Sequence, residues 1–525
     1  MGEKILVRGV NWIGDAVMTL PALKSLKNAF PESQVSLLVK PSVASIFERS
    51  PFIDEILVYD KQFESITGKL RLARRLRKSR FSTALLFQNA FDAALITYLA
   101  GIPERIGYER DGRGILLTNR IPFHNDDAKL HHIEYYLNLL RAYGIQARYS
   151  LPWIHLTSDE RVAARDTLDR IGRPVLGINP GAAYGSAKRW LPERFAEVAR
   201  WFIRDTKGCI VIFGGENEID VTQEIEKMVL TEQRGLTESD QLSSKARGHL
   251  INLAGKTSLR ELISLIAECD ILLSNDSGPM HVAYAVGTPL VALFGSTDPN
   301  LTGPVAGDNI VLKSVLPCSP CFERTCKKND MRCMYDIASD DVFLAVKTLL
   351  PDKPAVFFDR DGTLCEDVNY LSRRDDFRPL PGLDELARLK ARGFTLIGVT
   401  NQSGVARGLV DEGFVNEINN LFINDFGFDG FFYCPHNPEE HCACRKPEPG
   451  MMYEARRKFG IDPRRSYVVG DKESDMIFAH VVGAKGVLVK TGRLDDSSHA
   501  DFVATGLQEA VDFIIEDKEA YDSRA

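Results

Sequence analysis

Short apolar runs alternate with longer amphipathic stretches along the chain, and the alternation falls into three series. From Lys4 to about Gly101 the runs KILVRGV, VSLLVK, EILVYD and TALLFQ are separated by helix-length segments. A second series starts at Pro174 with PVLGINPG, CIVIFGG, INLAG, DILLSND and PLVALFG. A third opens at AVFFDRDG and continues through TLIGVTNQSG, FFYCPH, SYVVGD and KGVLVK. Apolar runs joined by helical segments mark parallel strands covered on both faces. The pattern predicts an α/β chain with two doubly wound Rossmann-like halves, residues 1–168 and 169–350, and a third α/β domain over 354–525. The Pro351–Pro354 segment, PDKP, is the expected linker. Ligands of such sheets sit beyond the C-terminal strand ends, so the loops there are where chemistry is sought.

Composition changes this picture little. The 525 residues are 44% apolar and 26% charged, as in ordinary folded proteins. The net charge of −7 disfavours nucleic acid as a partner. MGEKILVRGV enters a strand-like run without the sections of a secretion signal. The long uncharged window Ser277–Thr297 is broken by Pro279, His281, Pro289 and three glycines, so a cytoplasmic protein is expected. The stretch Lys69–Arg80, KLRLARRLRKSR, carries seven positive charges and no acid, with Leu70, Leu72 and Leu76 interleaved. It reads either as a solvated helix face or as a patch drawn to an anionic glycolipid surface at the inner face of the inner membrane.

The third series carries the densest chemistry. In FFDRDGTL, Asp359 and Asp361 follow an apolar strand one residue apart, so one carboxylate can face a phosphorus atom while the next offers a carbonyl to a metal and a side chain to a leaving oxygen. VVGDKESD adds Asp471 and Asp475 after another strand, a set of hard oxygen ligands that suits Mg²⁺. Thr400 and Lys446 lie between them, each able to hold a phosphate oxygen. Cys434, His436, Cys442 and Cys444 form C-x-H-x5-C-x-C, four ligands that close a tetrahedral zinc shell with no place for water, so a structural Zn²⁺ is expected.

These pieces resemble the haloacid dehalogenase superfamily. The resemblance implies Asp359 as nucleophile, Asp361 as acid and then base, Thr400 and Lys446 as phosphate clamps, and Mg²⁺ held by Asp359, the Asp361 carbonyl and Asp471. The zinc loop, NQSGVARG and CRKPEPGM are similar to the D-glycero-D-manno-heptose 1,7-bisphosphate 7-phosphatases, which implies sugar-phosphate contacts for Asn401, Arg407 and Arg445. Histidinol-phosphate phosphatases share the loop, and that substrate is the alternative.

In the first series, Gly14 permits a tight turn and Asp15 stands at the start of a helix, either as a cap or as a base for an acceptor hydroxyl. In SNDSGPMHVAYAVGTP, Ser277, Gly278, Pro279 and Met280 open a helix whose free amides suit a phosphate. Lys188 and Arg189 of NPGAAYGSAKRW add positive charge, so a diphosphate leaving group needs no metal there. Together with LAGIPERIGYERDGRGILLT and HHIEYYLNLL, these stretches resemble the lipopolysaccharide heptosyltransferase II family. That implies a GT-B fold and inverting transfer of heptose from ADP-heptose to the inner-core heptose of lipopolysaccharide. Asp15 becomes the general base, Lys188 the main diphosphate contact and Asp276–Met280 the nucleotide-sugar cradle, with Glu216 or Glu218 of FGGENE on the ribose. A non-catalytic nucleotide-sugar-binding module is the alternative. Cys318, Cys321, Cys326 and Cys333 are spaced as a zinc or redox cluster would be, and their role stays open.

Overall fold

The computed structural model describes residues 3–231, 249–492 and 494–522. The chain divides into two compact units, Met1–Leu349 and Leu350–Ala525, with the division at the PDKP segment. The first unit contains two parallel sheets. One is built from β1 (Lys4–Arg8), β2 (Gln34–Val39), β3 (Glu55–Val58), β4 (Thr83–Leu86), β5 (Glu104–Tyr108) and β6 (Asn119–Ile121), in the order β3-β2-β1-β4-β5-β6. The other comprises β7 (Val175–Asn179), β8 (Cys209–Ile212), β9 (Leu250–Asn252), β10 (Ile271–Asn275), β11 (Leu290–Phe294) and β12 (Asn309–Lys313), in the order β12-β11-β10-β7-β8-β9.

The second unit has one sheet of β13 (Ala355–Phe358), β14 (Thr395–Asn401), β15 (Gly430–Cys434), β16 (Tyr467–Gly470), β17 (Lys485–Val489) and β18 (Phe502–Ala504), in the order β15-β14-β13-β16-β17-β18. Counted from its own first strand, each sheet has the order 3-2-1-4-5-6. The switch point, where ligands of open parallel sheets bind, therefore lies between β1 and β4, between β7 and β10, and between β13 and β16.

The strands are continuous apolar runs because both faces are covered. On β1, Ile5 and Val7 enter one core while Leu6 enters the opposite one with Leu72 and Leu76. On β13, Val356 and Phe358 face one layer, and Ala355 and Phe357 the other. The sequence pattern ended the first series at Gly101, yet β5 and β6 follow, and β12 and β18 also went unread. These strands are short or carry polar residues, as the edge positions of β6, β12 and β18 allow.

Within the first unit the two sheets meet through helices. Helix Ile13–Ala29 packs on helices His132–Ala142 and Gly278–Val286. The approach is so close that a Cβ on Gly14 would lie 2.5 Å from the His281 ring, and one on Gly278 2.9 Å from Ile13. His131 Nδ1 accepts from Ile133 N, which leaves Nε2 to donate to the Gly303 carbonyl at 2.9 Å. Helix Ser158–Asp169 fell at the end of the first half in the sequence reading. In the structure it packs against helix Leu259–Glu268 of the second half, with Arg161 and Arg165 on Glu268.

Candidate active sites

In the first unit, Asp15 sits in the first turn of helix Ile13–Ala29 and is not its cap; that position is Trp12, whose side chain makes no cap bond. Its Oδ1 lies 3.4 Å from His132 Nδ1, at the start of helix His132–Ala142. Lys188 Nζ lies 2.5 Å from Asp276 Oδ2, which also accepts from Thr297 Oγ1. The His281 ring packs against Gly14, beside Asp15. Burial lowers that imidazole to about 4, and Asp276, Asp15 and Lys188 all act on it.

The loops after β7 and β10 are tied together at the switch point. Asn179 Nδ2 donates to Ser277 Oγ at 3.0 Å, Asn275 Nδ2 to the Pro180 carbonyl, and Trp190 N to Asn275 Oδ1. Ser277 is the N-cap residue of helix Gly278–Val286, but its hydroxyl turns to Asn179 and Ser274 and makes no cap bond. The first-turn amides of Gly278 and Met280 therefore remain for an anion. Arg189 Nε is buried without a partner. Of the two acids in FGGENE, Glu216 is exposed, whereas Glu218 accepts from Gly215 N and packs where a Gly181 Cβ would stand.

In the second unit, Asp359 follows β13 and Asp471 follows β16, the two strands that flank the switch point. Buried Lys446 Nζ lies 2.8 Å from Asp359 Oδ1 and 2.6 Å from Asp475 Oδ1, and donates to the Val399 carbonyl. Lys472 Nζ donates to the Asp361 carbonyl at 2.8 Å and lies 3.4 Å from Asp359 and 3.5 Å from Asp471. Burial alone would raise the Asp359 carboxyl, but the two ammoniums hold it below the ordinary carboxylate range. Burial, with Asp359 nearby, pushes Asp471 up to about 7. Gly362 has φ +98°, and a Cβ there would strike Asp471 Oδ2 at 2.3 Å, so glycine is needed both for the turn and for the close approach.

The Asp361 side chain is held apart from these groups. Arg360 clamps it at 3.0 and 3.1 Å, and Gln402 Nε2 donates to it at 2.6 Å. Gln402 also donates to Thr400 Oγ1. Asn401 Nδ2 donates to the Lys446 carbonyl at 3.2 Å and its Oδ1 accepts from Lys446 N, so it positions that residue. Exposed Arg407 bonds Asn437 and Tyr370, and Arg445 the His436 carbonyl.

Two groups of side chains among the described residues can hold metal ions. Asp359, Asp471 and Asp475 are all buried, with ligand oxygens within 4.8 Å of one another, and both Asp471 oxygens lack a hydrogen-bond donor. Three carboxylates face two ammoniums, so a phosphate could enter only with a further cation. In the second group, the Sγ atoms of Cys434, Cys442 and Cys444 and His436 Nδ1 make contacts of 3.2 to 3.6 Å. A tetrahedron with ~2.3 Å zinc–sulfur bonds has edges of roughly 3.8 Å, which these side chains match with little movement.

Sequence reasoning did not single out His132, His281, Lys472 or Gln402 as site residues. The signals were present in HHIEYY, GPMHV, GDKESD and TNQSG, but no local spacing marks them.

Residues 69–332 match glycosyltransferase family 9 (heptosyltransferase), and residues 443–517 match the HAD-hydrolase-like family. The chain is 31% identical over 322 residues to lipopolysaccharide heptosyltransferase 2 of Salmonella typhimurium, covering 59% of this chain and 88% of that protein. It is 40% identical over 179 residues to D-glycero-beta-D-manno-heptose-1,7-bisphosphate 7-phosphatase of Haemophilus ducreyi, covering 31% of this chain and 98% of the relative. The solved ADP-heptose LPS heptosyltransferase II of E. coli superimposes with a TM-score of 0.56 at 27% identity, over 66% of this chain and 98% of that one. The chain thus belongs to glycosyltransferase family 9, the heptosyltransferases, and continues into a unit of the heptose-bisphosphate phosphatase family.

Proposed function

We propose that this is a bifunctional enzyme of lipopolysaccharide inner-core assembly. The first unit transfers heptose from ADP-heptose, with inversion, to the core heptose; the second hydrolyses the 7-phosphate of D-glycero-D-manno-heptose 1,7-bisphosphate. The relatives named for the β-anomer support that anomer as substrate. The reading is carried by one observation: in the second unit the predicted acid and the predicted phosphate-holding cation, Asp359 and Lys446, are in direct contact, and in the first unit Gly14, beside Asp15, packs against His281 on the helix that follows Asp276, the partner of Lys188.

In the transferase, Asp15 takes the proton of the acceptor hydroxyl, with His132 orienting its carboxylate. The departing ADP is held by Lys188, Arg189 and the first-turn amides of Gly278 and Met280, over the Asp276–Ser277 turn, and no metal is required. Glu218, packed against Gly181, is better placed than exposed Glu216 for the ribose.

In the phosphatase, Asp359 attacks the 7-phosphate and forms an aspartyl-phosphate. Asp361 protonates the leaving sugar oxygen and then takes a proton from water. Thr400 and Lys446 hold phosphate oxygens, with Lys472 beside them. Mg²⁺ held by Asp359, the Asp361 carbonyl and Asp471 would neutralise phosphoryl charge. Zn²⁺ on Cys434, His436, Cys442 and Cys444 would fix the loop that carries Arg445 and Lys446.

Peripheral contact with the inner face of the inner membrane forms part of the proposal. No helix among the described residues is long and apolar enough to cross a membrane. Helix Ile66–Ser79 buries Leu72 and Leu76 in the core and leaves Arg71, Arg74, Arg75, Arg77 and Lys78 exposed, with Ile66 beside them.

The test is to assay the full chain for heptosyl transfer and for phosphate release from both anomers of heptose 1,7-bisphosphate and from histidinol phosphate. Faster turnover of histidinol phosphate would remove the heptose assignment. Binding of ADP-heptose with no transfer to a core acceptor would reduce the first unit to a binding module.

A further inference from the structure

Neither reaction uses the cysteines of CSPCFERTCKKNDMRC. Cys318, Cys321 and Cys326 lie on a segment, Ser314–Met331, with no helix or strand, and Cys333 lies in the short helix Arg332–Tyr335 that follows it. Most of the segment is exposed, including Val315 and Phe322, so it lacks the apolar anchors that usually fix so long a loop. Yet Cys318, Cys321, Cys326 and Cys333 all line one cavity of about 210 Å³. Its remaining wall includes Ala187, Gly295 and Ser296, the cations Lys327, Lys328 and Arg332, and the acids Glu323 and Asp330. Cys326 Sγ lies 3.8 Å from Asp330 Oδ1, and Lys327 is paired with Glu323. Four thiols on one cavity, with three cations against two acids in its wall, have the surroundings of a tetrathiolate centre, whose net charge of −2 the excess cation offsets in part.

We propose that Cys318, Cys321, Cys326 and Cys333 bind one thiophilic divalent cation, Zn²⁺ or Fe²⁺, in a structural site that braces the donor cleft. Binding is a plain exchange: four thiols lose their protons to solvent, four metal–sulfur bonds form, and nothing is oxidised or reduced. Disulfides would instead need an oxidant. These sulfurs face a common cavity without the close meeting of Cys434, Cys442 and Cys444, so the loop draws in around the ion.

The site reaches the chemistry through the loop it fixes. The Arg324 carbonyl accepts from Ala187 N at 3.0 Å, and Gly185 leaves no room for a Cβ against the Arg324 backbone. The Phe322 carbonyl accepts from Tyr184 Oη at 2.7 Å. Lys188 Nζ lies 4.8 Å and Arg324 Cζ 5.2 Å from the centre of the same Tyr184 ring. Cys321 N and Phe322 N both donate to the Ser296 carbonyl, one residue before the Thr297 that holds Asp276. The cysteine loop is therefore the outer support of the Lys188–Asp276 pair.

The test is elemental analysis of the full chain, purified under reducing conditions without chelator. The expected content is about two equivalents of Zn plus Fe per chain, one for each cysteine cluster. The Cys326→Ser/Cys333→Ser double variant is expected to fall to about one equivalent, as is Cys442→Ser, each losing a different ion. Iron is told from zinc by the elemental ratio and by thiolate charge-transfer absorption. The kinetic arm rests on the proposed heptosyl transfer: the double variant should raise KM for ADP-heptose roughly tenfold and leave phosphate release unchanged. If the chain transfers no heptose at all, the metal count still decides the site. Should the double variant fail to fold, Co²⁺ titration of the metal-stripped wild-type chain replaces it, with tetrathiolate bands saturating at about two equivalents. One equivalent in the wild type, a count unmoved by the double variant, or an intact mass showing disulfides within Cys318–Cys333 would each overturn the proposal.

Discussion

In the first unit the leading cation of the cleft, Lys188, is paired with one carboxylate, Asp276; in the second, Lys446 and Lys472 face Asp359, Asp471 and Asp475. Both centres sit at the switch point of a 3-2-1-4-5-6 sheet, so strand order does not distinguish them. Charge does. A balanced ion pair beside free helix amides can receive a diphosphate directly, whereas a pocket left with one excess negative charge repels phosphate until a cation enters. Both oxygens of buried Asp471 lack a hydrogen-bond donor, which suits them to the proposed cation.

The sharpest way to break this contrast is to withhold Mg²⁺. Omission of Mg²⁺ without chelator, or Asp471→Asn, is expected to lower phosphate release by of order 10³-fold or more and to leave heptosyl transfer within about twofold. Asp359→Asn should lower phosphate release by of order 10⁴-fold or more. Zinc content in that variant should stay intact, because the cysteine cluster takes no ligand from Asp359. Equal loss of both activities on omission of Mg²⁺ would show that the transferase chemistry also needs that ion.

Next in size is the transferase acid. Asp15→Asn keeps the shape and hydrogen-bonding reach of the side chain but cannot take a proton, so transfer should fall about 10²- to 10⁴-fold. Binding of ADP-heptose, measured by calorimetry, should stay near the wild-type value. Unchanged transfer would assign the base elsewhere, and lost binding would make Asp15 a structural residue of the cleft.

What the sequence made legible follows from the same physics. The central strands read as apolar runs because two cores cover them, and the acids read as candidates because they stand at strand ends. The edge strands β6, β12 and β18, and β5 beside β6, did not read, since NRI, NIVLK, FVA and ERIGY carry little or mixed apolar signal. The partners that tune the acids were also silent. Lys472 reaches Asp359 across 113 residues, and His132 reaches Asp15 across 117. No spacing rule spans such separations. The pairing of Asn401 with the Lys446 backbone, across 45 residues, was silent for the same reason.

A smaller effect separates the acid stability of the transferase cleft from its chemistry. His281 is buried facing Asp276, Asp15, Lys188 and His131, and burial depresses it to about 4 from 6.5. The unfolded chain therefore binds this proton more readily than the folded one. Stability is full above pH 6.5 and falls by about 3 kcal/mol as pH drops towards 4. Denaturant midpoints of the full chain between those limits should show the loss, and His281→Gln should flatten it. A slope that the variant leaves untouched would mean that His281 is solvated in solution.

The smallest effect concerns how firmly each acid is held. Asp361 is gripped by both arms of buried Arg360 and by Gln402, whereas Asp15 has one contact, 3.4 Å from His132 Nδ1. A carboxylate with one long contact keeps most of its freedom, so losing that contact should cost less than losing a two-point clamp. His132→Ala is expected to lower kcat for transfer about tenfold with KM for ADP-heptose unchanged, and Arg360→Met to lower phosphatase kcat about 10- to 100-fold. His132→Asn, which can present an N–H near the position of Nδ1, should recover most of the transferase loss. A merely structural role for His132 would instead move KM and stability together, with no rescue by asparagine. If the two variants cost the same, the looser hold on Asp15 would have to be tightened by the acceptor itself, the natural arrangement for a base that must meet a large glycolipid hydroxyl.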